Sequence, residues 1–193
     1  AMFLRNNRQH LPKAAFLLAF LPFIEMRLNV TASPYTWPTW QGFVKGIDVS
    51  LLDALAIAMI FAGKEVATPL RLKLAFSFYI LVFLISTFTA EIYVPSLFYG
   101  WQLARVLLVY YAVARSSALD RNVPVYLLTG LIAGLSIQAV IVIQQKLGGQ
   151  VQAGGWFGHQ NLLGMASHFI VYPAFAALLG GYYPKRTALC VGA

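Results

Sequence analysis

Six long apolar stretches, separated by links of 5 to 18 residues, constrain this chain more than any other feature. They lie at roughly 12–28, 47–63, 72–90, 96–115, 123–145 and 160–183. A helix needs about 20 residues to cross the roughly 30 Å hydrocarbon core of a bilayer. Backbone amides inside hydrocarbon must be satisfied within the segment, so the helix is the form such stretches take. The composition excludes a soluble domain: the chain is 60% hydrophobic and 10% charged, where a soluble domain carries roughly 25% charge. The expected fold is all-α, a polytopic transmembrane helical bundle, with residues 1–193 as a single transmembrane domain. Six helices are expected, and a seventh begins at Thr187. The apolar ending Leu189-Cys-Val-Gly-Ala193 reads as the start of further chain, so the sequence is expected to be the N-terminal part of a longer membrane enzyme.

Proline and glycine punctuate the links, at Pro34, Pro38, Gly63, Pro69, Pro95, Pro124 and Pro184. Arg5, Arg8 and Lys13 precede the first apolar stretch, but no small-residue cleavage site follows it. It is therefore read as a retained helix. The net charge of +8 is spread thinly around apolar segments, which points to lipid headgroups and topology; no nucleic-acid partner is expected. With the N-terminus in the cytoplasm, Arg5, Arg8, Lys13, Lys64, Arg71, Lys73, Arg115, Arg121, Lys185 and Arg186 lie inside. Only Arg27, Lys45 and Lys146 lie outside. This asymmetry places the first link (29–46), the turn at 91–95 and the glycine-rich segment near 154 on the outer side. The lone Cys190 rules out an internal disulfide.

Polar residues inside such stretches are functional candidates, because an ionised side chain at the bilayer centre costs about 2.5–3.5 kcal/mol on insertion scales. Arg105 lies nine or ten residues into the fourth stretch, about 13–15 Å deep. Two roles suit it: a bidentate grip on a phosphate, or an ion pair with a buried carboxylate, Glu25 or Asp53. Asp48 is expected to cap the second helix, with Asp53 further in. Glu25 and Arg27 point to different faces, and Arg27 either snorkels or binds ligand. Gln138 and Gln145 are seven apart and share a face; they suit either sugar hydroxyls or neighbouring helices. Tyr35, Trp37 and Trp40 suit either the membrane interface or a sugar-stacking surface.

The segment Gly154-Gly155-Trp156-Phe157-Gly158-His159-Gln160-Asn161 sits between two uncharged stretches. A flexible polar patch at the lip of a membrane helix is expected to touch a polar ligand. His159 or Asn161 is expected to cap the sixth helix, whose free N–H groups would favour an anion. The three glycines would let backbone approach a ligand. His168, two turns further on, suits either an interior structural role or proton transfer. Acidic and histidine residues are too scattered for a metal site, and no cofactor is expected. P-loop, GxSxG, CxxC and dinucleotide motifs are absent from the sequence.

The run Gly155-Trp-Phe-Gly-His-Gln-Asn-Leu-Leu-Gly164 resembles the Gly-x-Phe-Gly-x-x-Asn-x-x-Ala segment of the O-antigen ligase superfamily, with Gly164 where alanine is usual. Gly134-Leu-Ser-Ile-Gln138 and Gln145-Lys-Leu-Gly148 are also similar to that family. The resemblance covers residues 134–164. It implies a metal-independent membrane glycosyltransferase of the GT-C type in the bacterial inner membrane. The implied donor is an undecaprenyl-pyrophosphate-linked glycan. The implied acceptor is a hydroxyl of lipid A–core, polysaccharide or protein at the periplasmic face. The family's catalytic histidine and arginines lie in a loop that nothing here resembles, so catalytic residues are unassigned. Arg105, His159, Gln160, Asn161, Gln145 and Arg27 are carried as substrate-binding candidates. The competing readings are a polyprenyl-lipid or small-solute transporter, which lacks the expected internal repeat here, and a non-catalytic membrane scaffold.

Overall fold

The structure is a computed structural model that describes residues 8–24, 31–62 and 72–182. Among the described residues it is mostly helical, 73%, with six α-helices. We number these α1 (Leu11–Phe20), α2 (Leu51–Ile60), α3 (Lys73–Phe88), α4 (Tyr93–Leu119), α5 (Val123–Leu147) and α6 (Gln160–Leu179). Among the described residues, α4, α5 and α6 are long and apolar enough to cross a membrane. The first three are shorter than expected, 10, 10 and 16 residues. The seventh helix expected at Thr187 lies outside the described residues.

The all-helical expectation needs one correction. The first link is a two-stranded antiparallel sheet, β1 (Thr31–Thr36) with β2 (Gly46–Ser50). Tyr35 pairs with Ile47 and Thr31 with Ser50. The segment is rich in β-branched and aromatic residues, which favour strands. Pro34 stands at the irregularity between Ala32 and Tyr35, where a missing N–H is tolerated.

The chain divides into two compact units. The first holds the described residues 31–62 and 72–119. Here the β2–α2 segment runs parallel to α4, held in register by three α4 side chains. The Trp101 indole donates to the Asp48 carbonyl, Arg105 reaches Ser50 and Asp53, and Arg115 Nε donates to the Ile60 carbonyl at the end of α2. Ten residues separate Arg105 from Arg115 and Ser50 from Ile60, a rise of about 15 Å on either helix. Helix α3 runs back between them in sequence, antiparallel to α4. The Phe83 ring covers Gly100, and the Phe76 and Tyr110 rings lie 4.9 Å apart.

The second unit holds residues 9–24 and 120–182. Leu11, Ala14, Ala15, Leu18 and Ala19 form the buried stripe of α1, at helical spacing. They meet α5 where Gly130 and Gly134, four apart, lie on one face. The Phe16 carbonyl and Ala19 sit over Gly130, and the Phe23 ring sits over Gly134. Small residues let two backbones approach closely, which replaces the hydrophobic drive that is absent between helices in lipid. Helix α6 packs back against α5.

A methyl group at Gly134 would collide with the Phe23 ring, whereas nothing lies within 4 Å of Gly164. Gly134→Ala is therefore expected to destabilise the detergent-solubilised protein by about 1–3 kcal/mol. Gly164→Ala, inside α6, is expected to leave it unchanged or stabilise it by about 0.5–1 kcal/mol. Thermal unfolding of the two variants, side by side, reads the difference.

Candidate functional site

Two polar clusters stand out, one in each unit. In the first, Ser50 is the N-cap of α2 and Asp53 is its third residue. The Asp53 carboxylate accepts the Ser50 N–H at 2.8 Å and the Ser50 hydroxyl at 3.3 Å. This is the carboxylate half of a capping box. The other carboxylate oxygen accepts Arg105 Nε at 2.8 Å. Arg105 also donates to Ser50 Oγ at 3.0 Å and to Gln102 Oε1 at 3.3 Å. Asp53 is 3% exposed and Ser50 4%, and a carboxylate so deeply buried needs its ion pair and hydrogen bonds.

Of the two roles open to Arg105, the geometry shows the ion pair, with Asp53 as partner. The guanidinium fork is directed at three protein groups. Asp48 does not cap α2, contrary to expectation. It lies in β2, where its carboxylate accepts Ser33 Oγ at 2.6 Å. The reason is that α2 begins only at Leu51, which leaves Ser50 as the cap. Gln102 connects this cluster to an apolar groove of about 570 Å³ between α3 and α4, lined by Phe76, Tyr79, Phe83 and Tyr99 among others.

The second cluster explains the glycine-rich segment. Gln138, 0% exposed, donates through Nε2 to the Phe23 carbonyl at 2.9 Å. Its Oε1 accepts the Trp156 N–H at 2.8 Å. Gln145 makes a two-bond pair with Gly155: Nε2 donates to the Gly155 carbonyl at 3.1 Å, and Oε1 accepts the Gly155 N–H at 2.9 Å. Gly155 has φ +62° and a side chain there would strike Gln138 Oε1, so glycine is required twice over. The Phe157 ring meets the Phe23 ring edge-on at 5.6 Å. Gln138 and Gln145 do share a face, and that face pins a loop. Their amides satisfy main-chain groups of Phe23, Gly155 and Trp156.

The pinned loop delivers His159 as the N-cap of α6, its Nδ1 accepting the Asn161 N–H at 3.2 Å. That bond requires the neutral ring to carry its proton on Nε2. His159, Gln160 and Asn161 are all exposed. His168 is also exposed, and its Nδ1 donates to the Gly164 carbonyl at 2.7 Å. Arg27 and Glu25 lie outside the described residues. Arg105 belongs to the first unit; Gln145, His159, Gln160 and Asn161 belong to the second, around one loop.

Sequence reading missed Ser50, Trp101 and Gln102. Ser50-x-x-Asp53 ahead of an apolar run is a capping-box spacing that carried the signal. Trp101 and Arg105 are four apart on one helix face. Among the described residues, no three His, Cys, Asp or Glu side chains come together as metal ligands.

Comparison with family models, with curated proteins and with solved structures finds no match to this chain.

Removing one partner of a buried pair strands the other charge. Asp53→Asn and Arg105→Gln are each expected to destabilise the protein. The double variant should lose less than the sum, with a coupling of about 0.5–3 kcal/mol by a double-mutant cycle in thermal or denaturant unfolding. Gln138→Leu removes the bonds to the Phe23 carbonyl and to the Trp156 N–H, at a cost of about 1–3 kcal/mol. Its expected signature is lower stability with a changed tryptophan emission, the latter read against a Trp156→Phe control.

Proposed function

We propose that this protein is an integral-membrane glycosyltransferase acting on a polyprenyl-pyrophosphate-linked glycan at the outer face of the bacterial cytoplasmic membrane. Six membrane-associated helices, a cytoplasmic N-terminus and an outward-facing loop at 148–159 complete the reading. The reaction forms a bond between an acceptor hydroxyl oxygen and the anomeric carbon, and breaks the bond from that carbon to the pyrophosphate. The hydroxyl proton goes to a base and the lipid pyrophosphate leaves.

The observation that carries the reading is the pinned loop. Two glutamine amides and a required glycine hold it against α5. It therefore presents His159, Gln160 and Asn161, exposed, at the start of a 20-residue helix. Open backbone N–H groups at a helix start favour an anionic group such as a pyrophosphate. The exposed amides of Gln160 and Asn161 suit sugar hydroxyls. The resemblance of residues 134–164 to the O-antigen ligase superfamily supports the same assignment. His159 is given a binding role, because its Nδ1 lone pair is occupied by the Asn161 N–H.

One observation favours a second reading, a polyprenyl-lipid-binding or transport protein without transferase chemistry. Arg105 is engaged by Asp53, Ser50 and Gln102 rather than directed at a ligand.

The test uses the protein in lipid nanodiscs with an undecaprenyl-pyrophosphate-linked oligosaccharide. Gln160→Ala and Asn161→Ala are expected to weaken donor binding by about tenfold or more each, the loss of one hydrogen bond to a charged or polar headgroup. Unfolding temperature should hold, because both side chains are exposed. Release of undecaprenyl pyrophosphate on adding an acceptor separates transferase from lipid binder. Unchanged donor affinity in both variants would refute the assignment of this loop.

A further inference from the structure

The β-hairpin has a depth that can be read against α4. Helix α4 is 27 residues long, about 40 Å, some 10 Å more than a hydrocarbon core. Centred in a bilayer, it overhangs by about 5 Å at each end. Trp101 stands about 12 Å and Arg105 about 18 Å from the start of the helix at Tyr93. The Trp101 indole donates to the Asp48 carbonyl and Arg105 to the Ser50 hydroxyl. Two strand residues rise about 6.6 Å, and the four helix residues that separate Trp101 from Arg105 rise about 6 Å. Strand β2 therefore descends beside α4, level for level, and its Ser50 end lies well below the headgroups. Ser33 Oγ donates to the Asp48 carboxylate, so the middle of β1 sits at the level of Trp101. The bend at residues 37–45 lies near the start of α4.

Strand β1 is the outer edge of a two-stranded sheet, and all six of its residues are exposed. Four of them, Thr31, Ser33, Tyr35 and Thr36, carry hydroxyls. Non-helical backbone at membrane depth is tolerated only where protein buries it or where it lines water. All six residues of the strand are exposed, which favours the second option. Asp48, at the same level, and Arg105, below it at 19% side-chain exposure, likewise retain contact with their surroundings.

We infer that β1 and β2 form a re-entrant hairpin whose outer edge lines a water-filled vestibule, reaching from the start of α4 down to the Ser50–Asp53–Arg105 cluster. Its occupants are water and small hydroxylated or charged groups. This depends on α4 crossing the membrane and is independent of the glycosyltransferase reading.

Cys190, the lone cysteine, makes the test clean. In a Cys190→Ser background, Ser33→Cys, Thr36→Cys, Ala104→Cys and Val106→Cys are reconstituted separately into liposomes, with a charged methanethiosulfonate present on both sides. Ala104 and Val106 are exposed residues of α4 near the level of Arg105. Both hairpin cysteines are expected to react at least about tenfold faster than the two helix cysteines. Protection of Ser33→Cys overturns the inference, including the case in which Thr36→Cys alone reacts, because the deep half of the hairpin is then covered. Rapid reaction at all four positions also overturns it, because α4 is then in water at that level. Thr36→Cys leaves the Ser33–Asp48 bond intact, and unfolding temperatures confirm that each variant is folded.

Discussion

A polar group that leaves water must find another polar group, and in this chain long side chains on two helices meet that demand for segments that do not meet it themselves. The amide of Gln138 joins the end of the first helix to a loop more than a hundred residues away. The amide of Gln145 holds both polar atoms of Gly155. On α4, Trp101, Arg105 and Arg115 do the same for the start and the end of the β2–α2 segment. An unpaired buried amide costs about 1–3 kcal/mol, more than most single apolar contacts contribute. These bonds therefore fix which short segment lies against which long helix.

The two clusters divide their labour differently. In the first, a buried carboxylate, a serine and a half-buried arginine neutralise one another. Such a ring adds little net stability against an apolar substitute, but it penalises any arrangement that separates its members. It therefore specifies register between α2 and α4. In the second, uncharged amides hold a loop, and the polar side chains that follow it are left facing outward. The first cluster consumes its polar groups within the fold. The second uses two glutamines to hold the loop, so that His159, Gln160 and Asn161 face outward, His159 also capping α6.

Close packing supplies the rest. Gly130 and Gly134 bring the backbone of α5 against α1, and Gly100 admits the Phe83 ring. Between helices in lipid there is no hydrophobic gain, so van der Waals contact at small residues is what remains to hold neighbours together.

The helical elements were legible in the sequence, because apolar runs bounded by Pro and Gly are a local signal. Helices α5 and α6 begin at the positions expected, Val123 and Gln160. The shared face of Gln138 and Gln145 was legible too, since a spacing of seven is two helical turns. The β-hairpin was not, since a proline- and tryptophan-rich link gives no alternating pattern that separates strand from loop. Asp48 was misread for a local reason: two acidic residues open the same segment, and only the start of α2 at Leu51 decides which of them meets the cap. The sequence offered Asp53 as a partner for Arg105 but could not choose between it, Glu25 and a phosphate, and it left the purpose of the two glutamines open between sugar hydroxyls and neighbouring helices. Sequence by itself determined where helices form and which faces carry glycine or polar groups, because period and composition act within a few residues. Only the tertiary structure decided that Arg105 pairs with Asp53 and that Gln138 meets Phe23 and Trp156. Those choices join residues 52, 115 and 18 positions apart, and no local rule sets which distant polar group arrives first.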